Sequence, residues 1–216
     1  TKEAGPAFDQ AISLYRDLAG KDAGAYLPKL AAALNDWAAF LRRGGSFADA
    51  GSAHGEALKI YRSLAERNPE AFRPTVAATL SSLSTVEQLQ GRGEAARKYL
   101  EEALKIRRAL AARGSKQRLL EVAATLEEMS ALLGGLNRPT DVRKAYEELV
   151  KIYRQLAAHG GDRYLLETAF SLHRIGTLHR DGDRDREALR AYEAELKTYR
   201  ELAARDQATY LPYVAL

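Results

Sequence analysis

Hydrophobic positions along this chain recur on a helical period. Between residues 25 and 43, Leu30, Leu34, Trp37 and Leu41 stand at i, i+4, i+7 and i+11, one face of an α-helix. Ala50, His54, Ala57, Tyr61, Leu64 and Ala65 draw a second such face over 47–66. The period-2 alternation of strands is absent. The pattern predicts ten helices, at about 6–19, 25–43, 47–66, 70–90, 93–112, 116–134, 140–158, 162–181 and 184–204, with a stump from 208. Punctuation falls between them. Asn68-Pro69-Glu70 reads as N-cap, first-turn proline and an acid set on the helix dipole. Asp162 and Asp206 are expected to cap helices at equivalent junctions, and Gly44-Gly45, Gly91 and Gly134-Gly135 to end the first helices.

The helices come in copies. Leu14-Tyr15-Arg16-Asp17-Leu18-Ala19 returns at Ile60, Ile106, Ile152 and Thr198, each start 46 residues after the last. Tyr26, Phe72, Arg118, Tyr164 and Tyr210 keep the same step, as do Leu34, Leu80, Leu126 and Leu172. A lone helix pair cannot bury its apolar face, so such copies gain stability by stacking on neighbours. The expected organisation is one tandem array over 1–216: a half repeat 1–22, repeats 23–68, 69–114, 115–160 and 161–206, and a partial repeat 207–216. Apolar residues Ala33, Leu34, Trp37, Ala38, Phe40 and Leu41 cover a broad arc of their helix. That arc is wide enough to touch both a hairpin mate and the next repeat.

Composition narrows the class without naming a task. Of 216 residues, 46% are hydrophobic and 29% charged, too apolar for a disordered tail. Cysteine is absent, which excludes a disulfide framework and thiolate metal sites. No apolar run reaches the roughly 18 residues of a membrane span and no leader opens the chain, so work in the cytoplasm away from membranes is expected. The first residue is Thr1, not Met. Both ends present apolar patterns, Phe8, Ala11, Ile12 and Tyr15 at one and Tyr210-Leu211-Pro212-Tyr213-Val214-Ala215-Leu216 at the other. Because arrays need polar caps, the expectation is a piece of a longer multidomain protein, with end-to-end self-association as the alternative.

The residues resemble the tetratricopeptide repeat family in its long-helix, kinesin-light-chain-like form. Leu34-Asn35-Asp36-Trp37-Ala38 is similar to that family's Leu-Asn-Asn-Leu-Ala run, with Leu80-Ser81-Ser82-Leu83-Ser84 and Leu172-His173-Arg174-Ile175-Gly176 as degenerate copies. Ala38, Ser84, Ser130 and Gly176 hold its small-residue position. Gly45-Ser46-Phe47-Ala48-Asp49-Ala50 and Gly91-Arg92-Gly93-Glu94-Ala95-Ala96 resemble its turn, and Ala57-Leu58-Lys59-Ile60-Tyr61 its second helix. The resemblance implies an all-α, right-handed superhelical solenoid of antiparallel helix pairs. Each unit is about 12 residues longer than the 34-residue norm. A HEAT or armadillo array, whose units run to about 40–47 residues, is the alternative.

The same resemblance implies that first helices line a groove. The helical wheel independently points Asn35, Ala39 and Arg42 away from the core, then Ser81, Thr85 and Gln88, then Glu127 and Ala131, then Phe170, His173, Thr177 and Arg180. This lining is mostly small and neutral, with room for a peptide or helix of a protein partner or of another domain of the same protein. A structural spacer or oligomerisation platform is the alternative reading. Residues 92–118 carry nine basic against three acidic side chains. Arg97, Lys98, Lys105, Arg107, Arg108, Arg113, Lys116 and Arg118 form a basic patch that would steer an acidic protein or a phosphate backbone. With Tyr99 as its one aromatic, it is poor in rings to stack bases, which weighs against nucleic acid. Lys59, Lys105, Lys151 and Lys197, with Glu101, Glu147 and Glu193 four residues before the last three, read as a solvated salt-laced face. No P-loop, nucleophile elbow or dinucleotide fingerprint occurs, and His173 and His179 are not spaced as an i,i+4 ligand pair. His54 stands at a packing position held by Tyr146 and Tyr192 in later copies. The expectation is a non-catalytic protein without cofactor or metal.

Overall fold

A computed structural model describes residues 4–112 and 114–214. The described residues form ten α-helices: α1 Ala4–Lys21, α2 Ala23–Arg43, α3 Phe47–Arg67, α4 Pro69–Leu89, α5 Gly93–Ala111, α6 Lys116–Gly135, α7 Pro139–Ala157, α8 Asp162–Arg180, α9 Asp185–Ala203 and α10 Gln207–Tyr210. A 3-10 turn follows at Leu211–Tyr213, and no strand occurs among the described residues. The ten expected helices are all present. No described helix is long and apolar enough to cross a membrane. The chain divides into two compact units, Thr1–Leu110 and Ala111–Leu216. In the first, α2 packs between α1 and α3, and α4 joins α3; in the second, α6, α7, α8 and α9 pack in succession.

Each unit is held by the faces that the spacing marks out. In the first, Leu30, Leu34, Leu58, Tyr61, Leu80 and Leu83 form one buried cluster against which Trp37 and Phe72 pack. In the second, Val150, Leu172, Ile175 and Ala191 join with Tyr146 against them. Burying a leucine side chain contributes about 1.5–3 kcal/mol, so these faces carry the association of the helices. The small positions Ala38, Ser84, Ser130 and Gly176 are all buried. At Gly176 a β-carbon would meet the Tyr192 ring at 2.5 Å, so the approach of α8 to α9 depends on that absent methyl.

The turns repeat with the helices. The amides of Ser46, Arg92, Arg138 and Arg184 donate to the carbonyls of Leu41, Glu87, Leu133 and His179, each five residues back. This is the Schellman closure, which needs a left-handed residue just before the donor. Gly45 (φ 83°), Gly91 (φ 73°), Asn137 (φ 53°) and Asp183 (φ 54°) hold that position. Gly134-Gly135 close α6 as expected, but both stay helical and Asn137 makes the left-handed turn. Asn68 caps α4 through the Ala71 amide, as expected, and Asp206 caps α10 through Thr209. Asp22, in the same register, caps α2 through Ala25. Asp162 is not a cap. It lies in the first turn of α8, where the helix dipole favours it, and pairs with Arg205 at 2.7 Å.

Candidate functional site

The outward positions of the first helices fare differently in the two units. In the first, Asn35 is half-buried, its amide donating to Thr79 Oγ1 at 2.9 Å while Oδ1 meets His54 Nδ1 at 2.8 Å. One side chain thus ties α2 to α3 and α4. His54, 3% exposed, fills the core as its position foretells. Burial first, then the charge of Arg42, hold its pKa down to about 4, so the ring is neutral near pH 7 and donates to the amide oxygen. Ser81 Oγ accepts from Arg107 at 3.1 Å, Thr85 donates to the Ser81 carbonyl, and Gln88 donates to Ser84 Oγ at 3.3 Å. Ala39 and Arg42 are half-buried. These groups hold one another.

In the second unit a cleft of about 790 Å³ opens between α6, α7 and α8. Four of the expected positions, Glu127, Ala131, Phe170 and His173, line it together. Thr177, which donates to the His173 carbonyl, and Arg180, which pairs with Asp181, are not part of its wall. Ser130, Ala131 and Gly134 give α6 a low side. Opposite them Phe170 is 54% exposed and meets Tyr146 edge-on at 6.4 Å. Arg174 stands 5.9 Å over the Tyr146 ring. Tyr153 donates to the Glu127 carboxylate from below; burial, then this bond, push its phenol well above the ordinary value and keep it a donor. Tyr146 and Arg174 are wall residues that the wheel missed, because Tyr146 belongs to a second helix and Arg174 to the flank of the first. The signal was there in the register: Tyr146 stands where His54 does two repeats earlier, in register with a small residue of the first helix.

Several of the expected patch residues are already partnered. Arg97 is bound by Glu94 and Glu101, and Arg118 by Glu121. Arg107 turns half-inward to Ser81, correcting its placement on the surface patch. Lys98, Lys105 and Arg108 are exposed on α5, Lys116 lies 5.3 Å over the Tyr164 ring, and Arg113 lies outside the described residues. Glu101 and Glu147 pair with Arg97 and Arg143, four residues before them. Arg16–Glu56 (2.7 Å) and Arg62–Glu102 (2.6 Å) instead bridge consecutive second helices, one repeat apart. Among the described residues no three His, Asp or Glu side chains are grouped to hold a metal ion.

An array of antiparallel helix pairs in 46-residue units defines the class. Residues 29–109 match the model of the tetratricopeptide repeat family. No curated protein matches the sequence. Among solved structures, the chain is similar to the nearly identical TPR-like repeats of a Podosopora anserina protein of kinesin light chain type. The TM-score is 0.59 at 14% identity, over 94% of this chain and 90% of that one. It is also similar to MamA (0.52, 16%, over 95% and 89%) and to BtubC (BKLC) from P. vanneervenii (0.50, 15%, over 91% and 90%). Over residues 29–109 the repeats match tetratricopeptide repeats, and the chain shares the fold of the long, kinesin-light-chain-like repeats.

Proposed function

We propose that the chain is a non-catalytic protein-interaction module that holds a peptide or helix of a protein partner in the cleft between α6, α7 and α8. One observation carries this reading. A cleft within the usual 300–1,000 Å³ of ligand sites has a low wall of Ser130, Ala131 and Gly134 facing an exposed phenylalanine. A large apolar side chain left in water beside a concave surface marks an interaction site. The floor takes an apolar anchor of the partner, and Glu127, His173 and Arg174 at the rim take its polar groups. The corresponding positions of the first unit, Asn35 and Ser81, are engaged within the fold and serve stability.

The test is a selection of displayed natural peptides on the purified chain, run beside Phe170→Ala and Ala131→Arg variants. Enriched peptides should lose roughly tenfold or more in affinity on either variant while circular dichroism stays unchanged. Asn35→Ala should lower stability and leave affinity alone. Enrichment that ignores both cleft variants would remove the proposal.

A further inference from the structure

The second helices carry a ladder of ion pairs, and one rung is missing. Arg16 of α1 holds both carboxylate oxygens of Glu56 on α3, at 2.9 and 2.7 Å. Arg62 of α3 holds those of Glu102 on α5, at 2.6 and 2.7 Å. Each glutamate lies 40 residues after its arginine. The sequence keeps the same pair of residue types at Arg108 and Glu148. At the next step the arginine remains, as Arg154 of α7, but the place of the glutamate on α9 is taken by Ala194. Arg154 is exposed, and among the described residues no carboxylate pairs with it.

Where the rung is missing, the surface opens. A cleft of about 370 Å³ is walled by Arg154 of α7, by Lys197, Thr198 and Glu201 of α9 and by Arg205 just past that helix, with the buried Thr168 of α8 among its lining. Thr198 stands where Ile60, Ile106 and Ile152 do, so a shorter side chain gives the cleft room. Ala194 lies one turn earlier on the same face of α9. The walls belong to helices already packed together: α8 lies against both α7 and α9, and Arg205 pairs with Asp162 of α8 at 2.7 Å. Tyr199, on which Tyr213 stacks, is not among them.

Charge names the occupant. Asp162 neutralises Arg205, which leaves Arg154 and Lys197 against Glu201 alone. We propose that this cleft binds an acidic segment of a partner protein. One carboxylate of that segment takes on Arg154 the place that Glu56 and Glu102 take on Arg16 and Arg62. A guanidinium and a carboxylate form strong, directional charge-assisted bonds. Lys197 supplies a second cation for a neighbouring acid of the segment. The cleft between α6, α7 and α8 shares none of these walls.

The repeat supplies the decisive variant, because a glutamate at position 194 would fill the rung from within. Ala194→Glu should raise the urea midpoint, and adding Arg154→Ala should remove that gain. A fluorescently labelled oligoglutamate peptide, added to the intact protein, should give saturable anisotropy that weakens with salt. Arg154→Ala and Ala194→Glu should each weaken binding roughly fivefold or more, the first by removing the guanidinium and the second by occupying it. Ala48→Glu, which adds the same charge at an exposed position of α3, should bind as the parent does. Circular dichroism should be the same for all of these proteins. Binding that Arg154→Ala leaves intact, or that Ala48→Glu weakens as much as Ala194→Glu does, would overturn the proposal. So would the absence of coupling between Arg154→Ala and Ala194→Glu in the urea midpoints. Tighter binding of single-stranded DNA with the same dependence on Arg154 would overturn it too, for the ligand would then be a phosphate backbone.

Discussion

At residue scale, the four Schellman turns occupy one position of the repeat with three residue types. Glycine takes the left-handed conformation freely, whereas a β-carbon costs roughly 1–2 kcal/mol there, less for Asn and Asp, whose side chains bond locally. Asn137 and Asp183 therefore carry a small strain that Gly45 and Gly91 do not. Asn137→Gly and Asp183→Gly should each raise stability by a few tenths to about 1 kcal/mol, the gain reduced by the freer unfolded chain. Gly45→Ala should lower it by about 1 kcal/mol. Urea midpoints measure all three, and a loss on Asn137→Gly would show that the asparagine side chain holds the turn. Gly134-Gly135 mark the end of α6 in the sequence, but helical φ and ψ are open to glycine too, and the register set by Gly45 and Gly91 places the left-handed residue at Asn137.

At element scale, helix spacing is set by matched pairs across each hairpin. Ala38 lies in register with His54, Ser84 with Leu100, Ser130 with Tyr146, and Gly176 with Tyr192, the smallest residue with the largest ring. In an open helix interior Gly→Ala gains about 0.5–1 kcal/mol from backbone entropy. At Gly55, where nothing lies within 4 Å of the new methyl, that gain should appear. At Gly176 the methyl would stand 2.5 Å from a ring carbon of Tyr192, and such overpacking costs about 1–3 kcal/mol. The clash outweighs propensity, so Gly176→Ala should lower the thermal midpoint, and adding Tyr192→Leu should restore most of the loss. A stabilised single variant would show that Tyr192 turns aside freely. The existence, type and faces of the helices were legible because one 46-residue step repeats without a break. Ion-pair partners were not. A wheel places Glu101 near both Arg97 and Lys105, and only packed rotamers choose; it says nothing of Arg62 reaching Glu102 on a neighbouring helix. Likewise the wheel set Asn35 and Phe170 side by side as groove residues, although one bonds inward to His54 and Thr79 and the other stands in water.

At the scale of the whole molecule, each unit buries one neutral histidine, and this sets a common response to acid. His54 belongs to the first, its pKa lowered by burial and then by Arg42 to about 4. His179 belongs to the second, lowered by burial and then by Arg184 and Arg143, with Glu187 and Glu147 opposing. A histidine has a pKa of about 6.5 in the unfolded chain. Between that value and the folded one the unfolded state binds more protons, so stability falls as pH falls. The contribution of His54 is fully present above about pH 6.5 and is lost progressively toward pH 4. At about 1.36 kcal/mol per pKa unit, it comes to about 3 kcal/mol. His179 acts with the same sign. Trp37, the one tryptophan, lies in the first unit, stacked on Phe40 and tilted against Phe8, so its fluorescence reports that unit, while circular dichroism reports both. Urea midpoints followed by Trp37 should drop from pH 7 to pH 4.5, and His54→Leu should flatten the drop; Leu100, one repeat on, shows that leucine fits the position. His179→Leu, the residue at Leu41 and Leu133, should flatten the circular dichroism transition and leave the Trp37 signal as it was. A His54→Leu protein that keeps the parent's acid slope would assign the loss to carboxylates instead.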